Sequence, residues 1–266
     1  TRITSMLDYV DLFGRAQAEN DGITVTITDT MQEILADKTK EKLVRRDLKV
    51  VLDDTKRSKF NLYYCVLWYF ANGGGPCYIV SVGTFAADGT GTPKKDDLLP
   101  GVKALESEDE PTMIVVPEAA ASDGYAEVYE EALLQAAKLG DRMVIIDVKQ
   151  AATDKSGVNA DMTAFRSNFA ENRMFGAAYY PYIDTTIDVR YSDTALTLVH
   201  NKIDSKNATE KGTLDGKTFA SLSSDIVLQE EIRTRIGQIA LRLPPGAAAA
   251  AVWAKVDSER GVWKAP

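Results

Sequence analysis

Apolar residues recur along this chain in two alternating rhythms. Between residues 77 and 184, short β-branched runs alternate with stretches of helical spacing. CYIVSV (77–82), TMIVV (112–116), MVIIDV (143–148) and GAAYYPY (176–182) read as strands. DDLLPGVKALE (96–106), GYAEVYEEALLQAAKLG (124–140) and ADMTAFRSNFAENR (160–173) read as helices. The second helix carries the clearest pattern. Tyr125, Val128, Tyr129, Ala132, Leu133 and Ala136 share one face, and Gly140 supplies a C-cap. Strands alternating with helices predict an α/β protein. Its sheet is mainly parallel, flanked by helices and joined by right-handed crossovers.

The flanks read differently. SKFNLYYCVLWYFAN (58–72) is a helix with Ser58 as N-cap, apolar on nearly every side and so buried between layers. It runs into Gly73, Gly74 and Gly75, and Pro76 blocks any further helix. A phosphate cradle runs strand, glycines, helix. Here the order is helix, glycines, strand, which predicts a left-handed cap at Asn72–Gly73 instead. ITVTIT (23–28) alternates like a strand, and residues 31–59 are basic and poorly patterned, with LKVVL (48–52) as one further strand. That basic run reads as a solvated face or as a patch for an acidic partner. Residues 185–224 break the α/β rhythm as a β-rich, hairpin-like insertion. LQEEIRTRIGQIALRL (228–243) and PPGAAAAAVWAKVDSERG (244–261) return to helix. The expected core is therefore 61–184 with 225–266, and the variable or inserted parts are 1–60 and 185–224.

Composition narrows the chemistry. With 266 residues and a formal net charge of −8, the chain is no general nucleic-acid binder. No run approaches the roughly 20 apolar residues of a membrane helix. Two cysteines, Cys65 and Cys77, and a single histidine exclude the usual zinc sites. The best candidate for catalysis lies at the carboxyl ends of the strands, where α/β sheets bind ligands. Glu118, Asp147 with Lys149, and Asp184 fall there, and carboxylates so grouped can hold magnesium for hydrolysis. The alternative is that they are ordinary loop and cap residues. His200 lacks the companions of a Ser/His/Asp triad. GTGTP (89–93) lacks the lysine and hydroxyl of a phosphate loop, and Asn207-Ala-Thr is a chance glycosylation match. No catalytic, cofactor or metal residue is assigned.

FANGGGPCYIVSVG (70–83) resembles a segment of contractile tail sheath proteins, the family of myophage tails, R-type tailocins and phage-tail-like injection systems. There an aromatic helix runs into glycines and then a Cys/Tyr-rich strand. Five more segments agree in order. ITSMLDYVDLFG (3–14) resembles the family's "ITS…eY…lFG", and ALESEDEPTMIVVPEA (104–119) its "ale…ede–P–T–ivvPda". LGDRMVIIDV (139–148) resembles "l–gDRfaIlDv", and FGAAYYPYI (175–183) "yaAaYyPwl". PPGAAAAAVWAKVDSERGVWKAP (244–266) is similar to "PPSGavAGvYArtDrerGVwKAPAN". The family's N-terminal arm, with its "PGVYiEE"-like stretch, and its C-terminal domain are not matched. The resemblance thus implies the middle portion of a sheath subunit.

A sheath subunit is structural, not an enzyme. Stacked rings of subunits surround an inner tube and contract from a strained lattice into a wider, shorter one, driving the tube through a target envelope. The energy sits in interfaces, so no cofactor is needed. The implied partners are other sheath subunits, linked through exchanged terminal strands, the inner tube protein, and baseplate and terminator proteins. Neither nucleic acid nor membrane insertion is expected. The implied location is the bacterial cytoplasm, then a virion tail or tail-like particle. Arg260, Trp263 and Lys264 would lie beside the family's C-terminal domain, and the segments 31–59 and 185–224 would decorate the outer surface. Two other readings stand beside this one. One is a metal-assisted α/β hydrolase using Glu118, Asp147 and Asp184; the other is a small-molecule binding module at the same sheet edge.

Overall fold

The computed structural model describes residues 1–85, 91–150 and 155–263. In chain order the elements are β1 (Arg2–Ile3), α1 (Met6–Phe13), β2 (Ile23–Ile34), β3 (Asp37–Leu52), α2 (Leu62–Ala71) and β4 (Cys77–Tyr78). Next come α3 (Lys95–Ala104), β5 (Met113–Val115), α4 (Tyr125–Leu139), β6 (Met143–Asp147), α5 (Lys155–Asn168), β7 (Gly176–Tyr179) and β8 (Ile183–Thr185). The chain closes with β9 (Leu198–Ile203), β10 (Thr209–Lys211), α6 (Ile226–Gly237), β11 (Leu241–Leu243) and α7 (Gly246–Arg260). Helix and strand are mixed throughout, as the α/β reading expects. Two compact units result. The first holds Thr1–Ala16, Ser58–Thr185 and Arg242–Pro266; the second holds Gln17–Arg57 and Thr186–Leu241.

In the first unit, β5, β6 and β7 form a three-stranded parallel sheet in that order. Alternation divides its faces. Val144 and Ile146 of β6 join Ile114 in a cluster with Val128, Tyr129, Ala132, Leu133 and Ala136, the face of α4 that the spacing picks out. Ile145 points the other way and is equally buried. α7 packs against β6, and the small side chains of Ala247, Ala250 and Ala251 are buried and allow that close approach. α2 packs on α7. A smaller cluster of Ile3, Tyr9, Val66 and Ile79 joins β1, α1, α2 and the segment after β4. α4 ends where expected, with Gly140 at φ 73° donating to the Ala136 carbonyl. CYIVSV departs from expectation. Only Cys77–Tyr78 is a strand, and it pairs antiparallel with β1 rather than joining the parallel sheet.

The second unit is a four-stranded sheet ordered β10-β9-β2-β3, parallel only between β9 and β2. Ile23, Val25 and Ile27 of β2 are buried, as is Leu198 of β9. Phe219, Leu222 and, on α6, Ile232 and Ile236 are buried in the same unit. Residues 31–59 are a correction. Most of them belong to β2 and to β3, which is 16 residues long. β3 is an edge strand whose residues 42–47 are exposed on both faces, so no period-2 signal marks it. Lysines there also blunt the edge against pairing with another chain. Residues 225–241 likewise fall in this unit and not in the expected core, because α6 packs against β3.

The glycine turn has a definite geometry. Asn72 caps α2, the Gly73 N–H donates to the Phe70 carbonyl (3.1 Å), and the Gly74 N–H donates to the Tyr69 carbonyl (3.0 Å). This is the paired-bond Schellman ending, with Gly73 at φ 91°. Both amides are thereby occupied by the helix and are turned away from any anion. Gly74 fails for another reason, since a Cβ there would lie 2.4 Å from the Tyr69 ring. A Cβ on Gly75 meets nothing within 4 Å. Gly73→Ala and Gly74→Ala should therefore each cost about 1–3 kcal/mol, and Gly75→Ala within about 0.5. Urea unfolding followed by tryptophan fluorescence checks this series, because Trp68, Trp253 and Trp263 all belong to the first unit. Equal losses at all three positions would contradict it.

Candidate functional site

Glu118 and Asp147 stand at the carboxyl ends of neighbouring parallel strands, β5 and β6. Both are buried, Asp147 completely. Each accepts the first amide of a helix. The Leu62 N–H that opens α2 donates to Glu118 Oε1 (2.6 Å), and the Gly246 N–H that opens α7 donates to Asp147 Oδ1 (2.6 Å). The expected N-cap of α2, Ser58, does not perform this role; its Oγ accepts the Phe60 N–H instead. Asn61 occupies the cap position without a side-chain cap bond, and the acceptor comes from 56 residues away. Gly246 is glycine for want of room, since a Cβ there would lie 2.8 Å from both Asp147 carboxylate oxygens.

Two tyrosines of α4 lock the same strand ends. Tyr129 Oη accepts the Asp147 N–H (3.1 Å) and donates to the Val116 carbonyl (3.2 Å), tying β6 to the end of β5. Tyr125 Oη donates to the Asp147 carbonyl (3.0 Å). Burial dominates the electrostatics. It pushes the Glu118 carboxyl up to about 7 against the pull of the Leu62 amide. It pushes Asp147 up to about 7 as well; the Gly246 amide opposes the shift and the Glu118 charge adds to it. Asp147 Oδ2 has no hydrogen-bond partner among the described residues.

Asp184 does not join them. It lies on β8 and forms a bidentate pair with Arg242, Nε to Oδ1 at 2.7 Å and Nη2 to Oδ2 at 3.1 Å. That guanidinium holds its carboxyl below the usual range. Lys149 is exposed. Among the described residues, no three His, Cys, Asp or Glu side chains come together as metal ligands. What Glu118 and Asp147 do in this geometry is hold two helix N-termini.

The single histidine has a structural setting in the second unit. His200 Nε2 lies 3.1 Å from Asp29 Oδ2, and Nδ1 accepts the Leu214 N–H (3.1 Å). That acceptor assigns the proton to Nε2. Asp29 in turn holds Arg46 through both oxygens (2.6 and 2.7 Å). With both ring nitrogens engaged, His200 has no lone pair left for base chemistry. GTGTP lies partly outside the described residues, which resume at Gly91, and Lys264 lies outside them as well. Asn207 sits at φ 64°, in a turn. Trp263 is 79% exposed.

Sequence reading assigned no role to Arg142. Its buried guanidinium donates to the Leu105 carbonyl (2.9 Å) and the Glu108 carbonyl (2.9 Å), closing the end of α3 and the turn beyond it. Its only trace in the sequence is a charged residue at the mouth of an apolar strand. The first unit also holds an open cavity of about 590 Å³, lined by Tyr9, Cys65, Val80, Met113, Val115 and Glu118 among others.

No protein-family model matches the chain, and no curated protein matches it in sequence. Among the described residues, no helix is long and apolar enough to cross a membrane.

The buried carboxyls set a pH dependence. Their pKa values rise from 4.5 and 3.8 in the open chain to about 7 on folding. Between those values the folded state holds protons that the unfolded state has lost, so stability falls as pH rises. From pH 5 to pH 8 the first unit should lose about 4–5 kcal/mol, roughly half from each carboxyl. Asp147→Asn keeps the Oδ1 acceptor and removes one titration, so it should remove about half of that fall. Urea titrations read by tryptophan fluorescence at each pH measure both slopes; a variant with the unchanged slope would disprove the assignment.

Proposed function

We propose that this chain is the middle portion of a contractile tail sheath subunit, a structural protein that surrounds an inner tube and contracts to drive it through a target envelope. One observation carries the reading. The six segments that resemble the sheath family, 3–14, 70–83, 104–119, 139–148, 175–183 and 244–266, all lie in the first unit. The second unit holds none of them, although it accounts for residues 17–57 and 186–241. Chance similarity would not respect a boundary that the chain crosses four times. Glu118, Arg142, Asp147 and Gly246, which pin helices and turns to the sheet, also lie within those segments.

On this reading the first unit is the α/β core of the family, built on the parallel sheet, and the second is a β-rich insertion that differs between members. The partners are further sheath subunits, the inner tube protein, and baseplate and terminator proteins. The work is mechanical and is stored in subunit interfaces, so buried carboxylates serve as caps. A rigid core unit is what such a lattice needs, because a subunit that yields internally cannot transmit strain.

Two measurements test the proposal. Co-expressed with its flanking coding sequence and the neighbouring tube gene, the chain should form tubes in two lengths, extended and contracted, visible by negative-stain electron microscopy. Alone at micromolar concentration it should scatter light as a monomer or weak associate, since its charge of −8 opposes self-contact. Persistent monomers of the longer protein beside its tube would count against the sheath reading. Calorimetry with magnesium, calcium and ATP should give only heats of dilution. A micromolar isotherm abolished by Asp147→Ala would favour the metal-site reading instead.

A further inference from the structure

The cavity of the first unit lies between two extended segments whose backbone edges are open. On one side is β5, an edge strand bonded only to β6. The Met143 N–H donates to the Thr112 carbonyl, so Thr112 and Ile114 face β6. By alternation, the N–H and C=O groups of Met113 and Val115 face away from β6. On the other side is the segment after β4. Ile79 exchanges both of its backbone bonds with Thr1, so Val80 and Val82 turn their backbone groups away from β1. Val80, Val82, Met113 and Val115 all line the same cavity. None has a ladder partner among the described residues.

The connection between these segments is a strand–helix–strand unit through α3. Such units place their two strands parallel in one sheet by a right-handed crossover. The helix is already seated on its strand. Gly101 of α3 approaches so closely that a Cβ would meet Val82 Cγ1 at 2.4 Å and Val80 Cγ1 at 3.5 Å. The alternation Ile79, Val80, Ser81, Val82 is that of a strand. Among the described residues, the seam between strand and strand is left unjoined. Valine and methionine side chains and open backbone groups beside a cavity of about 590 Å³ leave both hydrophobic and hydrogen-bonding free energy unrealised at this seam.

We propose that Ile79–Val82 docks along the outer edge of β5 as a fourth parallel strand, and that the part of the cavity between these two segments is the open form of this seam. Docking pairs Val80 and Val82 with Met113 and Val115, closes the part of the cavity between them, and covers the open edge of β5. The device does not depend on the sheath reading. An opened seam exposes a row of donors and acceptors to any extended peptide, and a closed one denies it.

Amide hydrogen exchange by NMR on the intact chain tests this with an internal control. Ile114 is bonded to β6 whether the seam is open or closed. Docking predicts that Met113 and Val115 exchange within about tenfold of Ile114, as paired core amides do. It also predicts nuclear Overhauser contacts between 80–82 and 113–115 in the unsubstituted protein. Val82→Pro, which removes a donor from the seam, should speed Met113 and Val115 by about tenfold or more and leave Ile114 slow. Free-chain exchange at Met113 and Val115 beside a protected Ile114, or the absence of those contacts, overturns the proposal. So does protection that survives Val82→Pro.

Discussion

The first amides of α2 and α7 need acceptors that their own cap residues do not supply. Glu118 and Asp147 supply one each, from the ends of adjacent strands. Much else in the first unit follows from that requirement. The carboxylates must be buried, so their ionisation is opposed. α7 must start close enough to Asp147 that position 246 admits only glycine. Tyr129 must bridge the two strand ends to keep the acceptors in register. Cap and sheet therefore fix one another: the strands position the carboxylates, and the carboxylates position the helices that cover the sheet.

Such a site shares features with an active centre. Carboxyls at the carboxyl ends of parallel strands, with raised pKa values and nearby helix N-termini, have the marks by which catalytic groups are sought. Here one oxygen of each carboxyl holds a helix amide, Asp147 Oδ2 has no hydrogen-bond partner among the described residues, and Asp184, the third member a metal would want, is paired with Arg242. Desolvation alone raises a pKa, and structural capping from a buried position produces desolvation as surely as catalysis does.

What was legible in the sequence was local. The face of α4, the cap at Gly140 and the ending of α2 at Gly73 are set by residues within one or two turns of each other. Long-range choices were not legible. Nothing within reach of Leu62 in sequence points to Glu118, and the 16 residues of β3 carry no alternation where both faces are solvated. α6 reads as a core helix because its apolar positions, Leu228, Ile232 and Ile236, say that it is buried but not against what. The candidate carboxylates were found because strand ends can be read from a pattern. Their role was not, because it depends on which helix arrives there.

Rigidity within the first unit has a further consequence. Arg142 fastens the end of α3 and the turn beyond it, and the carboxylates fasten α2 and α7, so three covering helices are anchored by buried polar bonds. Such bonds are strongly position-dependent, since a small displacement leaves a charge or amide buried without a partner. Apolar packing alone tolerates sliding, as the shallow energies of individual contacts allow. A domain that must pass force from one neighbour to another without deforming is better held by the first kind of contact. The segment Ile79–Val82 is the exception, because it has no such anchor beyond Ile79 and rests on α3 through small and β-branched side chains. Within the first unit, the segment Ile79–Val82 is thus held at the edge of the sheet by fewer buried polar bonds than the helices that cover it.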